Sequence, residues 1–253
     1  MECKTEYRKI VIPTYETGKP EELPVFYEKR ANQGASSKMY PIPYTDRLTD
    51  KVINKSYRAI VLENDYIKVT ALPEIGGKIH SATDKHTGYD FVYTNKVIKP
   101  AMIALAGPWV SGGIEFNWPL HHRPTTYEPM FSYIAENEDG SKTAWMGETE
   151  PYNRQKGMVG LTVPADRSYV RADVSLYNGT PVSRPFLWWA NLAVQVDKNY
   201  AVVFPPDVDY VNDHDRRAVL NWPIAKGTFA TARPYDYGDG VDIHYYRNIV
   251  VPS

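Results

Sequence analysis

From Lys55 onward apolar and polar positions alternate with a period of two through runs of strand length: YRAIVLEN, YIKVTALPE and GGKIHSATDKHTGYDFVYTN. A period of two sends successive side chains to opposite faces of a pleated chain, so each run predicts a strand with one buried face. Asn-Asp, Gly-Gly and His-Thr-Gly stand between the runs and supply turn chemistry, which makes the region an antiparallel meander. The style continues in MFSYIAENEDGSKTAWMGETE, where Glu-Asp-Gly between two alternating runs predicts a hairpin, and in MVGLTVPADRSYVRADVSLYNGT and RPFLWWANLAVQVDKNYAVVFP. Before it, Tyr7 to Tyr15 reads as one strand, and Ala31 to Asp50 lacks periodicity and reads as a connecting loop. The chain therefore divides into residues 1–50, an N-terminal strand and loop, and residues 51–253, the main β domain.

Two stretches alone could hold a helix: Val97 to Ala106, interrupted by Pro100, and the short Asp213 to Ala218. Neither can cover a sheet, which excludes a doubly wound α/β fold and leaves antiparallel sheets packed face to face. Composition agrees, since 20 Pro and 16 Gly break helices while 33 aromatic residues, 20 of them Tyr, suit pleated surfaces. Asn117-Trp-Pro-Leu and Asn221-Trp-Pro-Ile are similar, but no repeat of fixed period emerges, and the match is taken as chance.

Charge removes several functions. Lys and Arg total 29 against 30 Asp and Glu, for a net charge of -1, so a nucleic-acid partner lacks its electrostatic driver. The single cysteine, Cys3, makes neither an internal disulfide nor a thiolate metal site, which suits a reducing compartment. The N-terminus has no signal-peptide core and no apolar run reaches the length of a membrane span, so a cytoplasmic protein without a membrane partner is expected. There is no G-x-S-x-G elbow and no phosphate loop, and no cofactor is implied.

The densest chemistry lies in WVSGGIEFNWPLHHRPTTYEPM, Trp109 to Met130. Glu115, Asn117, His121, His122 and Arg123 bring acid, amide, imidazole and guanidinium together beside Trp109 and Trp118. Sugars need paired donors and acceptors for their hydroxyls and aromatic rings for their C–H faces, so the mixture points to carbohydrate. Glu115 and His121 are too far apart in sequence for a helical metal face, and adjacent strand histidines diverge, so no metal site is expected. A carboxyl beside aromatic rings is expected to have a raised pKa and to serve as a general acid, with His121 or His122 as its partner.

The run LENDYIKVTALPEIGGKIHSATDKHTGYDFVY, together with WVSGGIEFNWPLHHRPTTYEP, FLWWANLAVQV and VFPPDVDYVNDH, resembles an uncharacterised bacterial domain of the galactose mutarotase-like superfamily, one found N-terminal to tetratricopeptide repeats. The resemblance covers about Ser56 to the C-terminus. It implies an all-β fold, the antiparallel β-supersandwich of aldose epimerases and of domains of glycoside hydrolases, with a sugar held in a cleft on one sheet. Asn64, Asp65, Val69, Pro73, Gly76, Gly77 and Ile79 match the family's opening strands. Gly112, Gly113, Ile114, Trp118 and Pro119 resemble the turn before its substrate-binding His and Arg, with Glu115 in place of a proline. By that match His121, His122 and Arg123 are the candidates for the binding His and Arg. The chemistry of the segment makes Glu115, with His121 or His122, the candidate catalytic residues, and Arg123, Asn117, Trp109, Trp118 and Asn191 are the candidate substrate-binding ones. Two departures count against ordinary mutarotase activity. Asn191 stands where the resemblance implies a general-acid His, and the chain stops before the strand that carries the general base, as if C-terminally truncated relative to the family. A glycoside hydrolase-like or epimerase-like enzyme, and a non-catalytic interaction module using the aromatic face, remain the competing readings. Missing strands would leave a sheet edge open to homodimerisation.

Overall fold

The structure is a computed structural model that describes residues 3–22, 24–26, 39–119, 122–151, 153–213, 218–229 and 235–249. Its strands are, in chain order, β1 (Lys4–Thr17), β2 (Pro24–Phe26), β3 (Met39–Pro43), β4 (Leu48–Glu63), β5 (Ile67–Leu72), β6 (Lys78–Asp84) and β7 (Asp90–Val92). Then come β8 (Ala101–Ala104), β9 (Gly107–Trp109), β10 (Ile114–Asn117), β11 (Phe131–Glu136), β12 (Lys142–Thr149), β13 (Gln155–Thr162), β14 (Arg171–Asn178) and β15 (Trp189–Leu192). The predicted all-β antiparallel fold is what forms. Residues 101–104 of the helix-compatible stretch are strand β8, because Pro100 denies a helix its interior and Gly107, at φ 115°, turns the chain straight back into β9. Most of the second stretch, 214–217, lies outside the described residues. The one helix among them, Tyr246–Ile249, is a single turn that the pattern does not announce.

The chain divides into two compact units, 1–194 and 195–253. In the first, a seven-stranded sheet runs β1-β4-β5-β6-β10-β15 with β7 beside β6, and a four-stranded sheet runs β11-β12-β13-β14. The segment before residue 50 thus supplies β1 to the same sheet as the residues after it. Between the sheets Ile60, Leu62, Val69, Ile79 and Phe116 of the larger pack with Ala144, Met146, Val159 and Leu161 of the smaller, all nearly inaccessible to water. A second cluster, Ile12, Tyr57, Ala59, Leu72 and Ile98 among them, lies on the other face of the larger sheet, so β4 and β5 are buried on both sides. The second unit is a set of two-stranded pairs around Ala218, Leu220, Ala225, Tyr237 and Ile243.

Turn chemistry fixes the register. Gly76 and Gly77 take positive φ between β5 and β6, and a side chain at Gly76 would stand 2.1 Å from the Thr126 carbonyl oxygen. Asn64 closes the β4–β5 turn: its Oδ1 accepts from the Tyr66 and Ile67 amides and its Nδ2 donates to the Pro164 and Arg167 carbonyls. Because Asn64 is 3 % exposed, Asn64→Ala strands the buried Ile67 amide and takes the donor from two partly buried carbonyls, and a loss of about 2 kcal/mol is expected in a urea titration.

Candidate functional site

Ile79 of β6 and Ile114 of β10 are cross-strand partners in the inter-sheet core. Their sequence neighbours Lys78, His80 and Glu115 therefore occupy the opposite face of the larger sheet. Register carries the same face onto β15, where Asn191 pairs with Glu115 and Trp189 with Asn117. Strands from three separate parts of the chain thus place Lys78, His80, Glu115, Asn117, Trp189 and Asn191 on one face. Gly113, at φ 69°, passes so close to β6 that a Cβ would lie 2.0 Å from the Ile79 oxygen, which is the close approach the Gly112–Gly113 pair permits.

Glu115 is the hub. It is 4 % exposed and both carboxylate oxygens are occupied: Thr126 Oγ1 donates to Oε1 at 2.6 Å, and His122 Nδ1 and Asn191 Nδ2 approach Oε2 at 3.0 and 3.2 Å. Burial alone would raise its pKa. Hydrogen bonds from His122 and Thr126 and the attraction of His122 outweigh burial and pull the pKa down to about 2. The expectation of a raised pKa is thereby corrected: Glu115 is an ionised acceptor at neutral pH and no general acid. The buried Trp109 Nε1–H meets no acceptor in hydrogen-bonding geometry and is not one of the donors that hold the carboxylate.

An ionised Glu115 requires His122 Nδ1 to donate, which fixes the tautomer and leaves Nε2 as the ring's other polar atom. The imidazole is about one-fifth exposed and sits against two indoles, with centroids 5.8 Å from Trp109 and 5.1 Å from Trp189. Beneath it Lys78, 4 % exposed, donates to the Val110 and Ser111 carbonyls at 2.8 and 3.2 Å and so ties the segment after Trp109 to β6. Burial brings its ammonium down to about 8, with the Glu115 charge opposing the shift, and burial followed by the Lys78 charge brings His80 down to about 4.

Arg123 and Trp118 lie elsewhere. Arg123 is completely buried, donating from Nη2 to the Gly76 carbonyl at 2.7 Å, pairing from Nη1 with Glu148 Oε1 at 3.0 Å and stacking on Trp118 at 4.7 Å. Trp118 is completely buried in the inter-sheet core against Gly157, so it cannot be a sugar platform. Asn117 is also fully buried and uses Oδ1 to accept from the Arg123 amide at 2.7 Å. Of the residues singled out by sequence, Glu115, His122, Asn191 and Trp109 converge, while Trp118 and Arg123 are buried elsewhere and Asn117, on the same face as Glu115, is fully buried against the Arg123 amide. His121 lies outside the described residues. Lys78, His80, Thr126 and Trp189 were not foreseen, although Lys-Ile-His, an apolar residue between two titratable ones in a strand, carries a readable signal. Among the described residues no group of three or more His, Cys, Asp or Glu could hold a metal ion.

A family profile described as a domain of unknown function, DUF5107, matches residues 35–250. The chain belongs to this family. A solved structure similar to it is that of a TPR-domain containing protein from Parabacteroides distasonis ATCC 8503, with 22% sequence identity and a TM-score of 0.71 over 93% of this chain. The match spans 37% of that longer protein, so the likeness speaks for the DUF5107 fold alone. No helix among the described residues is long and apolar enough to cross a membrane.

Proposed function

We propose that this DUF5107 domain binds a carbohydrate on the β6–β10–β15 face, with the sugar ring against Trp109 and Trp189 and one hydroxyl on His122 Nε2. The observation that carries the reading is a partly exposed histidine whose tautomer a buried carboxylate sets and whose ring two indoles flank. Indoles offer the faces that C–H groups rest on, and an oriented imidazole offers one directed hydrogen bond. The half-buried Asn191 amide beside them can serve a second hydroxyl. The resemblance of the strand motifs to the galactose mutarotase-like superfamily supports the same ligand class. Any proton transfer here falls to His122, with Glu115 as its positioning residue.

A thermal-shift and titration screen against mono- and oligosaccharides tests this. At least one glycan is expected to raise the melting temperature of the native chain, and His122→Ala and Trp189→Ala are each expected to weaken its binding tenfold or more. A panel that shifts nothing, or a shift both variants retain, removes the reading.

A second reading, a protein-interaction module, is favoured by one feature. Val174 and Leu176 of edge strand β14 are on the face that β13 turns to the core, yet are 39% and 41% exposed. Leu192 of edge strand β15 is likewise 55% exposed. Edges that no strand pairs among the described residues, with apolar inward residues, suit pairing with a further strand, including one from a second copy.

A further inference from the structure

An antiparallel sheet that faces water on one side ordinarily carries polar residues there. The outer face of the β11–β14 sheet does not. Ala144, Met146, Val159 and Leu161 face the core, so alternation and register put Phe131, Tyr133, Trp145, Met158 and Tyr177 on the outside. Phe131 is 68%, Tyr177 65% and Tyr133 40% exposed, and the Phe131 and Tyr133 rings lie 5.6 Å apart.

Two glycines make this face flat. The cross-strand rows run Phe131–Gly147–Met158–Ser175 and Tyr133–Trp145–Gly160–Asp173. A Cβ on Gly160 would lie 2.9 Å from two ring carbons of Trp145, and one on Gly147 would lie 2.6 Å from Met158 Cγ. The indole and the thioether therefore lie down over positions where a side chain is missing. Neither glycine has a positive φ, so each serves space and not backbone conformation. Charge is sparse: Arg171 and Asp173 pair with each other at 2.9 Å, and Lys156, the cross-strand partner of Tyr177, is the one further charged residue that alternation places on this face.

We propose that this outer face is a second binding surface, distinct from the β6–β10–β15 face, that takes a neutral polysaccharide chain laid across the strands. With one ion pair and one further cation, the face offers a charged partner little to pair with and suits an uncharged one. Neighbouring strands lie about 5 Å apart and the Trp145 indole leans over the Gly160 position, so a chain that runs from Tyr133 across β12 towards β13 meets two rings in succession. Ser175, Asp173 and the Tyr133 hydroxyl stand within the same rows to meet sugar hydroxyls.

Affinity electrophoresis of the native chain in gels carrying hydroxyethylcellulose, xylan or soluble starch, with heparin as an anionic control, tests the proposal. Retardation is expected in at least one neutral gel. Phe131→Ala and Tyr133→Ala, exposed positions that the core does not use, are expected to weaken it tenfold or more, and Tyr89→Ala, an exposed ring in the turn between β6 and β7 that belongs to neither surface, to leave it unchanged. Retardation in none of the neutral gels, in heparin alone, or unaltered by the two ring deletions overturns the proposal. Loss with His122→Ala while Phe131→Ala binds normally returns the polysaccharide to the other face, which removes this inference and leaves the proposed function standing. Sedimentation that reveals a dimer dissolved by Phe131→Ala assigns the face to a second copy and also overturns it.

Discussion

Arg123→Met is expected to lower the stability of the domain by about 3–5 kcal/mol, the range for breaking a buried ion pair on one side. Arg123 has no exposure and divides its guanidinium between the Gly76 carbonyl and the Glu148 carboxylate. Methionine fills the volume over Trp118 but abandons both partners. Glu148, which also accepts from Thr125, then keeps a charge without a cation, next to Glu128, whose pKa burial and the Glu148 charge already raise. Guanidinium denaturation should show the loss, with unfolding about 10 °C earlier on heating. Replacing the pair together, Arg123→Met with Glu148→Met, should recover much of it, because the uncompensated charge goes too. An Arg123→Met protein that melts within a degree of the native chain but no longer binds sugar would return Arg123 to the ligand and refute its assignment to the interior.

Sequence and structure part company where the local period ends. Inside β10 alternation holds, so Glu115 and Phe116 were separable in principle: one serves the inter-sheet core and the other, Glu115, the opposite face. Trp118 still follows the inward alternation of Ile114 and Phe116, but past it the strand has stopped, and no period says that Arg123 turns inward while His122 stays at the surface. Hairpins were legible because their turn residues are local, as at Gly76–Gly77 and at Asp139–Gly140 between β11 and β12. Lys78 and Trp189 reach the site by strand pairing across long stretches of chain, and one sequence carries no sign of which strands pair. The expected general acid failed for a related reason. Aromatic neighbours told of burial, which raises a carboxyl pKa, but the donors that reverse it come from Thr126, His122 and Asn191, and the position of each is a tertiary fact.

Glu115→Gln is expected to cost about 3 kcal/mol at neutral pH and to erase one step of the acid unfolding profile. The folded carboxyl titrates near 2 and an ordinary one near 4.5, so the unfolded chain takes up this proton first as pH falls. The stabilisation is complete above about pH 4.5 and is lost progressively towards pH 2, and 2.5 units correspond to about 3 kcal/mol. His80 acts in a higher window, since its folded pKa of about 4 lies below the usual 6.5 and the unfolded chain protonates first between those values. Acid should therefore weaken the native protein in two overlapping stages, and Glu115→Gln should remove the lower one while keeping the stage between pH 6.5 and 4. The amide also presents an N–H where the carboxylate had an acceptor for both His122 and Thr126, so one of those donors loses its partner. Stability from denaturant titrations at each pH and histidine-resolved NMR of the His122 tautomer should then change together, with sugar affinity falling because the imidazole is no longer held. A Glu115→Gln protein with the native acid profile and an unaltered His122 spectrum would mean that the carboxylate does not position the histidine, and the proposed cleft would lose its organising group.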